Sequence, residues 1–89
     1  MSVRGEYRRL GADLLAVLRE SGDAKQGTSA MALAPLLERA AEDLDGAAED
    51  TLTLLPELAA ASPPDIEERR RFDDAYERLE AVCRIILGR

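Results

Sequence analysis

Eighty-nine residues, 46% apolar and 34% charged with a formal net charge of −6, make at most one domain with a small core, because a chain this short buries only about 60–65% of its unfolded surface. The absence of histidine removes the commonest general base, metal ligand and triad member, and the acidic balance argues against a nucleic-acid binder, whose affinity comes from clustered Lys and Arg. A single cysteine excludes an intramolecular disulfide.

Alanine, leucine, glutamate and arginine dominate while β-branched and aromatic residues are scarce, so intrinsic propensity predicts an all-α chain. A first helix is predicted over about residues 3–21, where Val3, Tyr7, Leu10, Leu14 and Val17 step by 4, 3, 4 and 3 and Leu15 and Leu18 widen the stripe. Gly5 and Gly11 each cost up to about 1 kcal/mol relative to Ala, which predicts fraying of its first two turns. Ser21-Gly22 ends it. Asp23 to Ser29 reads as a polar loop, with Thr28 or Ser29 capping the helix that follows.

A long, kinked second helix is predicted over about residues 30–61. Leu33, Leu37, Ala41, Leu44, Ala48, Leu52 (or Thr51), Leu55 and Leu58 step by 3 or 4, and Glu38, Glu42, Asp45 and Glu49 lie one residue further round. One face is apolar and its flank anionic. Residues 27–65 hold one base and eight acids, so the acidity of the chain belongs to this stretch. Pro35, Asp45-Gly46 and Pro56 interrupt it, each proline removing a helical hydrogen bond. Pro35 can mark the true start. The apolar period runs through Asp45-Gly46 without a change of phase, so a continuous helix is expected; a break near Gly46, giving four helices, is the alternative.

Ser62-Pro63-Pro64-Asp65 is the strongest punctuation in the chain, with Ser62 as N-cap, proline at the first helical position and Asp65 closing a Ser-x-x-acid box. A third helix is predicted over about residues 64–87, with Ile66, Phe72, Tyr76, Leu79, Cys83 and Ile86 as its seam and Gly88 as its close. Arg69 to Arg71 are offset by Glu67, Glu68, Asp73 and Asp74 on the same helix.

The expected architecture is a small up-down bundle of three helices, roughly 30, 48 and 36 Å long at 1.5 Å per residue. A central helix longer than its neighbours leaves its ends covered from one side only. Leu33, Leu36 and Leu37 at one end and Leu54, Leu55 and Leu58 at the other then expose more apolar surface than a soluble monomer usually shows, which calls for a partner, most simply a second copy across a two-fold axis. A break near Gly46 gives instead a compact monomer.

No catalytic residue, metal site or cofactor is expected. Glu38, Glu42, Asp45 and Glu49 have the spacing to meet a hard cation, but helical di-metal sites use Glu-x-x-His pairs. Cys83 lies on an apolar seam with no activating base, Ser21, Ser29 and Ser62 stand in turn or cap contexts, and the glycines form no phosphate loop. An acyl carrier protein has this size, acidity and helicity, but its Asp-Ser-Leu serine is missing: Glu42-Asp43-Leu44 occupies the nearest position. The longest apolar or proline run, Ala30 to Leu37, falls well short of the roughly 20 residues that span a bilayer, and Met1 to Glu6 leads into no apolar signal segment. A reducing cytoplasm is the expected setting.

Three functional readings follow. The leading one is a non-enzymatic helical interaction or assembly module, an adaptor that homodimerises or docks a partner helix through the six leucines named above. The second is an acidic inhibitor or antitoxin whose Glu38, Glu42, Asp45 and Glu49 occupy the basic site of a nucleic-acid-binding target. The third is a small helical enzyme of the chorismate-mutase type, with Arg8, Arg39 and Arg78 holding an anionic substrate, by fold-level analogy alone. None involves direct contact with nucleic acid or a membrane.

Overall fold

The computed structural model describes residues 2–89 and contains four helices: α1 (Val3–Glu20), α2 (Ala24–Arg39), α3 (Leu44–Ala59) and α4 (Ile66–Leu87). The chain is all-α, and the four-helix alternative is the arrangement found. The single central helix expected over residues 30–61 is two helices, α2 and α3, joined by residues 40–43.

The break falls at Asp43, three residues before Gly46. Asp43 leaves helical geometry (φ −141°, ψ 79°) and its Oδ1 accepts from the Gly46 amide at 2.9 Å, capping one of the unpaired donors that any helix start exposes. Charge agrees with this boundary: Arg39 closes α2 and Asp45 lies in the first turn of α3, the placement a helix macrodipole favours. The Arg39 guanidinium also reaches Asp43 at 3.2 Å and pairs with Asp50, tying the end of α2 to α3.

The other two boundaries also differ from expectation. α2 begins at Ala24 with Asp23 as its N-cap, so most of the stretch expected as loop is helix, and Thr28 donates its hydroxyl to the Ala24 carbonyl at 3.0 Å instead of capping. Gly22, at φ +70°, takes the left-handed conformation that turns the chain between α1 and α2. α4 begins at Ile66, and its cap is Asp65, accepting from the Glu67 and Glu68 amides at 3.0 and 3.1 Å; Ser62 does not cap it. Pro35 and Pro56 both lie inside helices, on exposed positions.

Side-chain pairs fix the topology. Arg4 donates to the Ala40 carbonyl, Arg71 to Glu20 and Arg89 to Glu49, so α1 runs antiparallel to α2 and to α4, and α3 antiparallel to α4. The α2 start and the α3 end share a groove through Lys25 and Glu57. The result is an up-down-up-down bundle in which each helix contacts its neighbours in a closed ring. Its extents are 33 × 21 × 20 Å.

One core fills the ring. Tyr7, Leu14 and Leu18 of α1, Leu33 of α2, Leu55 and Leu58 of α3, and Phe72 and Leu79 of α4 are its largest members. Gly11 is buried because Leu37 lies against it: a Cβ there would overlap the Leu37 Cδ2. Its cost in helix propensity is offset by the close approach of α2. Across the middle, the Tyr7 and Thr51 hydroxyls share a hydrogen bond of 2.7 Å, and the Gln26 Nε2 reaches the Ala61 carbonyl at 2.8 Å. Ile66, expected on the seam of α4, is instead 76% exposed.

Candidate functional site

Two leucine clusters were expected to form a docking surface, and the structure separates them. Leu33, Leu55 and Leu58 are fully enclosed and offer no surface. Leu37 is half-buried against Gly11, while Leu36 and Leu54 are half-buried and meet in a shallow groove between α2 and α3. Two helices of 16 residues each replace the expected long one, so the apolar overhang does not arise.

The surface that stands out is the outer face of α2. Its inner positions, Gln26, Ala30, Leu33, Leu37 and Ala40, step by 4, 3, 4 and 3 into the core. Ala24, Thr28, Met31, Ala32 and Pro35 therefore face outward, and all five are exposed. Met31 is 78% exposed. From Gln26 to Leu37 no residue carries a charge, an unusual composition for a helix side open to water. Pro35 has no amide hydrogen to offer the Met31 carbonyl, so the backbone on this face keeps a polar group free to meet water or a partner.

Grooves flank this face on both sides. Leu18, Gly27, Ala30, Met31, Ala34 and Pro35 line one against α1, and Ala32, Leu36 and Leu54 line the other against α3. Val3, Ile66 and Ile85 are also exposed, but Ile66 and Ile85 sit singly among Asp65, Glu67 and Arg84, and lone apolar residues are ordinary on a surface. Met31 alone among the four lies in an apolar setting.

The four acids do not form one stripe. Glu38 is in the last turn of α2, Glu42 in the connection, and Asp45 and Glu49 on α3; all are exposed, and Glu49 pairs with Arg89 at 2.8 Å. The three arginines weighed for anion binding are likewise dispersed: Arg8 is exposed on α1, Arg39 is held by Asp43 and Asp50, and Arg78 by Asp74 at 3.3 Å. A cleft of about 240 Å³ between α1 and α4 does gather Arg9, Arg71 and Arg78, but Asp13 and Asp74 line it too, leaving little net field for an anion. Among residues 2–89 no three acidic or cysteine side chains converge as metal ligands. Burial pushes the Cys83 thiol up to about 12, with the Glu80 carboxylate adding to the effect, and a thiol so protonated is a poor nucleophile. Among the described residues no helix is long and apolar enough to cross a membrane.

Met31, Ala32 and Pro35 escape a sequence reading that treats residues 23–29 as loop, because α2 then loses its first two turns and its outer face loses its period. The signal was the charge-free run itself, placed between Lys25 and Glu38. Comparison with protein-family models, with curated proteins and with solved structures finds no match, so this surface is read from its own geometry.

Proposed function

We propose that the chain is a non-catalytic protein-interaction module that docks a helical partner through the outer face of α2. One observation carries the reading: the most exposed large apolar side chain, Met31, lies on a charge-free helix face with grooves on both flanks. Burying a methionine side chain contributes about 1.5–3 kcal/mol, and its three rotatable bonds adapt to an uneven partner surface. Partner helices commonly seat their i, i+3 and i+4 side chains in grooves of this kind. A reducing cytoplasm suits a module whose single thiol is buried.

Met31→Asp tests it. The position is exposed, so the far-UV circular dichroism and Tm should hold within the small range typical of surface substitutions. Immobilised wild-type chain should retain partner protein, the chain itself included, from a lysate of its source cells, and the variant at least tenfold less, because a docked carboxylate must be desolvated. Equal retention by both overturns the reading.

A further inference from the structure

The connection between α2 and α3 departs from a helix at a single place. The amides of Ala41, Glu42 and Asp43 still donate into the last turn of α2, to the carbonyls of Glu38 and Arg39, and Ala47 resumes the ladder by donating to the Asp43 carbonyl at 3.0 Å. Between them Asp43, at φ −141° and ψ 79°, turns the chain. The inner positions nevertheless keep one helical phase through the turn: Leu33, Leu37 and Ala40 are followed by Leu44, Ala47, Thr51, Leu55 and Leu58 at steps of 4, 3, 4, 4 and 3. A hairpin places no demand on the relative phase of its two helices, because the turn leaves each free to rotate about its own axis. A continuous helix does. Gly46 holds the balance between the two forms. A Cβ on it would overlap the Arg39 Nη2 and the Asp43 Oδ2, part of the carboxylate that caps α3, so the hairpin needs glycine there, while the interior of a straight helix disfavours it.

We propose that Asp43 is a hinge and that the chain exchanges halves with a second copy of itself. Straightening Asp43 joins α2 and α3 into one helix of residues 24–59, roughly 54 Å long, and each of two bundles then holds α1 and α2 of one chain with α3 and α4 of the other. The core contacts are remade unchanged, and Arg39 meets the partner's Asp50 in place of its own. Such exchange is a low-cost route to a two-fold dimer. Two effects oppose it: the short connection over residues 40–43 holds α3 and α4 at a high effective concentration beside α2, and Glu42, Asp43 and Asp45 of both chains gather near the axis. The dimer is accordingly the minor form, favoured by high protein concentration and by salt. The outer face of α2 stays open in it, so the inference is independent of docking at Met31.

The test unfolds the full chain in urea, refolds it at near-millimolar concentration in high salt, and separates the products by size-exclusion chromatography with light scattering. Wild type should give a minor dimer that, once isolated and diluted, returns to monomer no faster than the monomer unfolds in the same buffer, since the halves must part before they exchange. Gly46→Ala should raise the ratio of dimer to monomer at least tenfold, because the substitution acts in both chains. Asp45→Pro should abolish the dimer. The residue is exposed in the first turn of α3, where proline is tolerated, but in a straight helix its ring clashes with the Ala41 carbonyl. Circular dichroism of each variant confirms that the fold is intact. A wild-type chain that is wholly monomeric overturns the exchange. So does a dimer that is unmoved by Gly46→Ala, that persists in Asp45→Pro, or that dissociates at once on dilution. A dimer lost on Met31→Asp belongs to the docking face and overturns the exchange as well.

Discussion

Tyr7 and Thr51 meet hydroxyl to hydroxyl at 2.7 Å in the middle of the core, both fully enclosed. Burial raises the Tyr7 phenol above its ordinary value and the Thr51 hydrogen bond works the other way, as expected when desolvation outweighs one neutral contact. Neither hydroxyl has water to fall back on, so removing one strands the other. Tyr7→Phe and Thr51→Val should each cost about 1–3 kcal/mol, whereas the double variant, with matched apolar shapes, should be less unstable than the sum of the singles. Urea unfolding of the four proteins gives the coupling. Strict additivity would mean that the bond does not hold α1 to α3. Gln26 is the counter-example in the same core: its Nε2 is satisfied by Ala61 but its Oε1 meets no donor among the described residues, so it contributes less than a fully paired amide.

At the scale of the helix, the contact between Gly11 and Leu37 sets how closely α1 and α2 approach. Alanine at position 11 gains about 1 kcal/mol of helix propensity but its Cβ overlaps the Leu37 Cδ2 and crowds the Cδ1 and Cγ, and displacing that whole side chain, half-buried against the core, costs typically about 1–3 kcal/mol. The collision wins. Gly11→Ala is expected to lower the Tm, and combining it with Leu37→Ala should cost less than the two single losses added together, which differential scanning calorimetry of the set will show. Fold class was legible from composition and period, since the inner faces of α1 and α4, apart from Val3 and Ile66 in their first turns, are those that the apolar spacing predicts. The α2–α3 boundary was harder because the pattern Leu37, Ala41, Leu44 keeps helical phase through the break, although Ala40 is the buried residue and Ala41 is exposed. Alanine is too small and too often exposed to report phase. What marks the boundary is electrostatic: one arginine followed by acids at Glu42, Asp43 and Asp45. The candidate surface was less legible still. Leu33, Leu55 and Leu58 look like interface only if the helix is continuous, and folding α3 back on α2 turns them inward.

For the whole molecule, the closed ring of helices around one core makes unfolding a single cooperative event, and its dependence on pH follows from which side chains change proton affinity on folding. The ion pairs all lie on side chains at least a third exposed, where such pairs contribute little. There is no histidine, so no side chain of ordinary affinity titrates between about pH 5 and 8. On the acid side, the Gly46 amide and the Arg39 guanidinium hold Asp43 below its ordinary 3.8. A depressed carboxyl contributes stability that is present above 3.8 and lost as pH falls through its lower folded value. On the alkaline side the sign reverses. The Cys83 thiol, ordinarily at 9.0, is raised to about 12, and Tyr7 and Tyr76 are raised above 10.0 by burial. The unfolded chain therefore releases these protons first, and stability falls as pH rises from 9 toward 12. The expected Tm profile is a plateau from about pH 5 to 9 with a decline on either side. Cys83→Ala should move the onset of the alkaline decline from about 9 to about 10, where the tyrosines take over, while Asp43→Ala should flatten part of the acid limb. Circular dichroism melts at unit steps of pH measure both. A slope inside the plateau would require a titrating group other than the side chains of residues 2–89.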